Sequence, residues 1–280
     1  MLQTYSHHYH AGNIGDVWKH VVLHAFLNNL VQRHTHVHML ECHGGAGSYA
    51  LQSTGEWTAG AGALLASLKP HAPKLVHAYT HALRTLGFDP PHQKQYPGSP
   101  LQAAQLLRPT DTLTAYEWDS DTARTLATHL PYHQAVHGNG LEALLAHAHT
   151  ARTALPHTCY FAHIDPPWTQ KSDWQHIPEQ LHQAYLQAPT MALAMWYPIK
   201  SYTRVSAMLK NLTSKSVPAV ALDLITTPLH YQRARLNGSG MLLVNAPTEV
   251  VSEALSAGAY IGETCATRGT YFHVQATRLI

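Results

Sequence analysis

Apolar and polar positions change period repeatedly along this chain. Asp16 to Arg33 places Val17, Val21, Leu23, Leu27, Leu30 and Val31 at helical spacing, which predicts an amphipathic helix. A short apolar strand follows over His36 to Leu40. Beyond Asp111 the periods alternate. Strands are predicted near 113–117, 134–137, 158–164, 190–196, 219–225, 240–245 and 269–275, and helices near 120–130, 140–148, 175–187, 202–211 and 249–257. Such alternation predicts an α/β sheet, mostly parallel.

One departure from regular spacing is informative. The first strand runs directly into Glu41-Cys42-His43-Gly44-Gly45-Ala46-Gly47, a turn that lets the backbone approach a nucleotide-like ligand. A doubly wound fold places an acid about 20 residues later, at the end of the second strand, to hold ribose hydroxyls. The matching acid here is Glu117, 70 residues beyond Gly47. The excess of roughly fifty residues is the size of an inserted subdomain. Residues 52–96 fit that role, with helices predicted over 61–69 and 75–86, and the core then comprises 1–51 and 97–280. After the insert, Tyr96-Pro97-Gly98-Ser99-Pro100 predicts a helix start, with Ser99 as cap and Pro100 first in the helix.

Composition narrows the picture. Hydrophobic residues make up 45% of the 280 and charged residues only 12%, so a large core and a weakly charged surface are expected. A net charge of +2 permits a nucleic-acid partner without demanding one. Lys200, Arg204, Lys210 and Lys215, with Arg233 and Arg235, form either a basic strip or ordinary solvated side chains. No apolar run approaches the ~20 residues needed to span a bilayer, and the first residues lack a signal-peptide layout. The three cysteines, Cys42, Cys159 and Cys265, are far apart, as in a protein of the reducing cytoplasm. The 24 histidines are scattered. His34, His36 and His38 alternate at strand spacing, but without a carboxylate or thiolate at a matching offset they read as compositional bias rather than a metal site.

The chemistry concentrates in His163-Ile164-Asp165-Pro166-Pro167-Trp168, at the end of a buried strand. The lone pair of an exocyclic amino group is delocalised into its ring. An Asp165 carboxylate and the Pro166 carbonyl can each accept one amino hydrogen and draw the nitrogen toward tetrahedral geometry. The two prolines stiffen the turn, and Trp168 offers a ring to stack on a flat base. A Pro-Pro strand terminator preceded by a chance acid is the alternative. Gly138-Asn139-Gly140 after the third strand is either an adenine-reading amide or a plain Asn-Gly turn.

Taken in order, these features resemble the class I S-adenosylmethionine-dependent methyltransferases. Within that class the chain is most similar to the bacterial 23S ribosomal RNA adenine-N(6)-methyltransferases of the RlmJ type. The similarity is carried by Tyr5, His10-Ala11-Gly12-Asn13, Asp16-Val17, Lys19-His20, the 41–47 turn, the 96–100 segment, Glu117, Gly140, Asp165-Pro166-Pro167-Trp168, Trp196-Tyr197-Pro198 and Ser239-Gly240-Met241. The resemblance implies a doubly wound, mostly parallel seven-stranded, Rossmann-like sheet with a small helical insertion. It implies S-adenosyl-L-methionine as cofactor, held by His20, His43, Gly45, Gly47, Ser99, Glu117, Asn139, Gly140 and Asp165. Asp165, Pro166 and Trp168 are the implied catalytic residues, and Tyr5 and Lys19 the implied contacts to ribosomal RNA, naked or partly single-stranded. A cytoplasmic enzyme without a metal, a membrane or an obligate protein partner is expected. A DNA adenine methyltransferase and an RNA-binding protein with an inactive methyltransferase fold are the alternatives. The chain departs from the family at Glu41 and Asn139, where Asp is usual, and at Trp168, where Tyr is common.

Overall fold

The computed structural model describes residues 7–90, 92–229, 236–265 and 271–280. Tyr5, Arg233 and Arg235 lie outside them. A four-residue helix α1 (His7–His10) precedes α2 (Ile14–Arg33), which is capped by the Asn13 side chain accepting from the Asp16 N–H. Next come β1 (His36–Glu41), β2 (Ser48–Ala50), α3 (Ala61–Ala66), α4 (Lys74–Thr85), β3 (Phe88–Asp89) and β4 (Gln93–Pro97). The remainder alternates: α5 (Ser99–Leu106), β5 (Thr112–Glu117), α6 (Ser120–His129), β6 (Gln134–His137), α7 (Gly140–Ala151), β7 (Thr158–Ile164), α8 (Asp173–Gln187), β8 (Ala192–Ile199) and α9 (Tyr202–Ser214). It closes with β9 (Ala219–Ile225), β10 (Gly238–Val244), α10 (Thr248–Cys265) and β11 (His273–Arg278).

The main sheet has the order β11-β9-β10-β8-β7-β1-β5-β6. From β6 through β8 neighbouring strands are parallel, while β10, β9 and β11 join antiparallel. The eight strands correspond to the eight strand segments predicted from periodicity, one more than the seven-stranded sheet the resemblance implied. All seven residues of β9 are buried, so an uncovered β9 edge would leave backbone groups unpaired in an apolar setting; β11 pairs with that edge. The chain moves from β1 outward to β5 and β6, then crosses back to β7 on the other side of β1. The point of reversal lies between β1 and β7, where open α/β sheets bind ligands.

Helices cover both faces. Val17, Leu23, Phe26 and Leu27 of α2 pack with Val37 and Met39 of β1 and with Ala254 and Ile261 of α10. The opposite face joins Leu40 to Leu144 of α7, Leu181 of α8 and Met208 of α9. The alternation of Met39 and Leu40 between the two clusters is the strand period of two. The segment 52–96 is not purely helical. Its β3 and β4 form a small antiparallel sheet with β2, held by backbone pairing that the polar Gln93-Lys94-Gln95 run does not advertise. Its Trp57, Tyr79, Phe88 and Tyr96 share the apolar cluster of α2. The helix after it begins at Ser99, with Gly98 rather than Ser99 as the cap and no side-chain capping bond. Among the described residues no helix is long and apolar enough to cross a membrane.

The antiparallel end is pinned by a buried carboxylate. Asp223 accepts hydrogen bonds from Tyr197 Oη at 2.6 Å, Tyr202 Oη at 3.0 Å and Gln275 Nε2 at 3.2 Å. Burial pushes its pKa upward despite these donors. The Tyr197 ring lies across Gly240, where a Cβ would fall 2.0 Å from it. Gly240→Ala must displace that ring, and is expected to cost about 2–3 kcal/mol by overpacking. A urea titration checks this: the midpoint falls with an unchanged slope, and an unchanged midpoint contradicts it.

Candidate active site

Adjacent parallel strands bring three turns to one edge of the sheet. Glu41 stands in register with Ala115 of β5 and His163 of β7. The turn after β1 is tied to both neighbours: Cys42 N–H donates to the His163 carbonyl at 2.9 Å and Gly44 N–H to the Tyr116 carbonyl at 2.7 Å. Gly45 and Gly47 adopt φ of +57° and +79°, the left-handed region in which glycine is the natural residue. Glu117, at the end of β5, accepts from Gly45 N–H and Asp119 N–H, each at 2.9 Å. Its carboxylate is therefore oriented by backbone at the mouth of the turn, with lone pairs left for a ligand. Gly98 N–H donates to the Gly47 carbonyl at 2.7 Å, which sets Ser99, buried at the start of α5, beside the same turn.

Gly140 opens α7 against this turn. A Cβ there would lie 1.9 Å from the Cys42 carbonyl oxygen, so only glycine allows the helix its approach. Asn139 caps α7, accepting from Leu141 N–H at 3.0 Å and donating to Glu142 at 2.9 Å. Its amide is thus engaged by the helix in this structure.

Asp165 follows β7 directly. Its Oδ2 lies 2.6 Å from Lys19 Nζ, and Lys19 also pairs with Asp16 at 2.8 Å. Lys19 is 8% exposed, with its ammonium 5.5 Å from the centre of the Trp196 ring. Burial alone would lower its pKa, but Asp16 and Asp165 raise it well above the ordinary lysine value. Lys19 thus sits against Asp165 rather than on an open surface. Pro166 is buried, and Trp168 holds φ of +51°, an outlier for a bulky residue. Such a conformation costs about 1–3 kcal/mol and persists where its surroundings enforce it. They do so here: the indole N–H donates to the Trp196 carbonyl at 3.1 Å, and the ring packs on Trp174 at 4.6 Å between centres.

His20 and His43 complete the edge. Burial lowers the pKa of both, that of His43 to about 4, so both are neutral near pH 7. His20 Nε2 and His43 Nδ1 are buried without a protein partner. Sequence reasoning missed several supporting residues. His163 Nδ1 donates to both carboxylate oxygens of the wholly buried Glu41, at 3.0 and 2.9 Å. The registration of β1 with β7 produces that pair, and no local pattern announces it. Trp174 is likewise silent in sequence. Lys215, read above as part of a basic strip or as an ordinary solvated lysine, is ion-paired with Glu179. Among the described residues no group of three or more His, Cys, Asp or Glu could hold a metal ion.

A glycine turn and an acid on successive parallel strands, with Asp-Pro-Pro-Trp at the point of reversal, define a class I methyltransferase. The family model described as "Ribosomal RNA large subunit methyltransferase D, RlmJ" matches residues 34–275, and the chain belongs to that family. It is 28% identical to "Ribosomal RNA large subunit methyltransferase J" of Haemophilus influenzae, over 96% of each chain. The protein of that name from Escherichia coli is also 28% identical, over 88% of each. In fold it matches a crystal structure of a Legionella pneumophila protein with a TM-score of 0.85, at 24% identity, over 96% of this chain and 98% of that one.

The raised pKa of Lys19 has a measurable consequence. Its contribution to stability is fully present below the unfolded lysine pKa and is lost only as pH rises through the higher folded value, beyond the ordinary working range. Brief treatment with an amine-acylating reagent at pH 9, followed by peptide mass mapping, should therefore modify exposed lysines and spare Lys19. Lys19 labelling as fast as an exposed lysine would contradict its burial and pairing.

Proposed function

We propose that this protein transfers a methyl group from S-adenosyl-L-methionine to the 6-amino group of an adenine in 23S ribosomal RNA. The observation that carries the reading is the position of Asp165-Pro166-Pro167-Trp168 at the sheet's point of reversal, beside the glycine turn. The residues present fit a nucleoside-bearing cofactor: a glycine turn whose Gly45 and Gly47 adopt left-handed φ, an oriented Glu117 and two buried imidazole nitrogens in need of partners. Glu117 would take the ribose hydroxyls, and His20, His43, Gly45, Gly47, Ser99, Asn139 and Gly140 would line the remainder. When bound, S-adenosylmethionine supplies a methyl group activated on a sulfonium.

The chain's own residues supply orientation. Lys19 holds one oxygen of Asp165, which leaves the other to accept an amino hydrogen. The Pro166 carbonyl accepts the second hydrogen, and the nitrogen lone pair is freed from the ring. Asp165 serves as an acceptor rather than a strong base, because the amino proton becomes acidic once the nitrogen carries four bonds. Trp168, locked by Trp174 and the Trp196 carbonyl, offers its remaining edge to the base. The target adenine must leave its stack, which costs least in naked or partly single-stranded RNA. Tyr5 is the residue assigned to the RNA side, while Lys19, expected there from the resemblance, reaches the substrate only through Asp165. Residues 52–96 are read as an insertion in a core of 1–51 and 97–280, and the enzyme as cytoplasmic and free of an obligate protein partner.

Radiolabelled methyl transfer tests the reading. Asp165→Asn should lower turnover on protein-free 23S RNA by about 100-fold or more, the scale of a lost transition-state contact. Its cofactor affinity should stay within about tenfold of wild type, since one contact of several is altered. Full activity in the variant would remove Asp165 from the mechanism. Label entering duplex DNA and not RNA would favour a DNA methyltransferase, and absence of cofactor binding by calorimetry an inactive RNA-binding fold.

A further inference from the structure

The place of the proton on His20 follows from its neighbours. Gln102, in α5 and wholly buried, sets its Nε2 2.8 Å from the Pro97 carbonyl oxygen. A carbonyl oxygen only accepts, so the amide nitrogen must face it; the reversed amide would press two oxygens together. With that orientation settled, the same Nε2 donates to His20 Nδ1 at 2.9 Å, and Gln102 Oε1 accepts from His24 Nε2 at 3.0 Å. The Tyr96 hydroxyl, 3.1 Å from that of Tyr79, also lies 2.9 Å from His20 Nδ1. A proton on His20 Nδ1 would have the Tyr96 hydroxyl as its one acceptor and would still face the amide N–H of Gln102 at 2.9 Å. Burial, with Lys19, His163 and His24 nearby, keeps the ring neutral. A neutral imidazole that accepts at Nδ1 carries its proton on Nε2, the buried atom that has no protein partner.

We propose that Gln102 is a positioning residue: through the Pro97 carbonyl and His24 it locks His20 in the Nε2–H tautomer and so presents a fixed donor to an acceptor atom of the cofactor. This rests on the reading of the site as one for S-adenosylmethionine. It gives the Pro97-Gly98-Ser99-Pro100 segment a second task besides starting α5, since the carbonyl of its first residue sets the amide. A donor fixed before binding needs no reorganisation when the ligand arrives, whereas a ring free to exchange tautomers would present a lone pair part of the time. Gln102 touches neither the glycine turn nor Asp165 through any of these bonds, and so acts on binding rather than on the chemical step.

The test reads the rings directly. Nitrogen-15 NMR of the ligand-free protein should show His20 protonated at Nε2 and accepting at Nδ1. Gln102→Met keeps the volume and removes the amide; a mixture of His20 tautomers is then expected, with the dissociation constant for S-adenosylmethionine about tenfold weaker. KM for the cofactor should rise while kcat at saturation stays within about twofold, a split that marks lost binding rather than lost chemistry. A wild-type His20 protonated at Nδ1 overturns the proposal, as does a Gln102→Met protein with unchanged tautomer and affinity. If Gln102→Met fails to fold, the wild-type ring spectrum decides alone. Failure of the wild-type protein to bind S-adenosylmethionine would overturn the functional reading instead, a result distinct from the ring spectrum.

Discussion

A buried ammonium shared by two carboxylates organises this molecule. Lys19 leaves α2 and pairs with Asp16 of its own helix and with Asp165 beyond β7. Burying a lysine is unfavourable unless the charge is paired, and removing one partner of a buried pair typically costs about 3–5 kcal/mol. The Asp16–Lys19–Asp165 chain therefore fixes the first long helix to the strand end that carries the chemistry. Asp16 also accepts from the Gly12 N–H at 2.9 Å, so the same carboxylate anchors the segment leading into the helix. Helix and strand end are thus joined by one buried charge network.

Around that link, polar groups hold one another in place. Backbone N–H groups orient Glu117, His163 orients Glu41, and Gln102 orients His20. Trp168 is held in a costly backbone conformation by the Trp196 carbonyl and the Trp174 ring. Fixed donors and acceptors of this kind lower the reorganisation needed at the moment of reaction. The antiparallel strands β9 to β11 contribute indirectly. They support β8, whose Trp196 stacks near Lys19 and whose indole N–H donates to Ser239 at 2.7 Å.

Much of this was readable from the chain. The strand-ending acids and the glycine turn announce themselves because they follow apolar runs whose length and flanks define strands, as at β1, β5 and β7. The late position of Glu117 sets about fifty extra residues between the glycine turn and its acid. What escaped depends on register and tertiary contact. His163 meets Glu41 only through the pairing of β1 with β7. The small sheet of β2, β4 and β3 joins polar segments that carry no strand pattern. β11, near the strand expected at 269–275, takes its bounds from its pairing with β9. Lys19 reads as a solvated lysine until α2 is laid against β7. Gln102 carries no signal in the sequence, yet it is wholly buried.

On the proposed reading, this sheet edge methylates one adenine amino group of 23S ribosomal RNA. Mass mapping of ribosomal RNA from cells lacking the gene tests it most directly. One N(6)-methyladenine should be missing from the large-subunit RNA, and should be restored by the intact gene but not by one carrying Asp165→Asn. An RNA methylation pattern identical with and without the gene would contradict it.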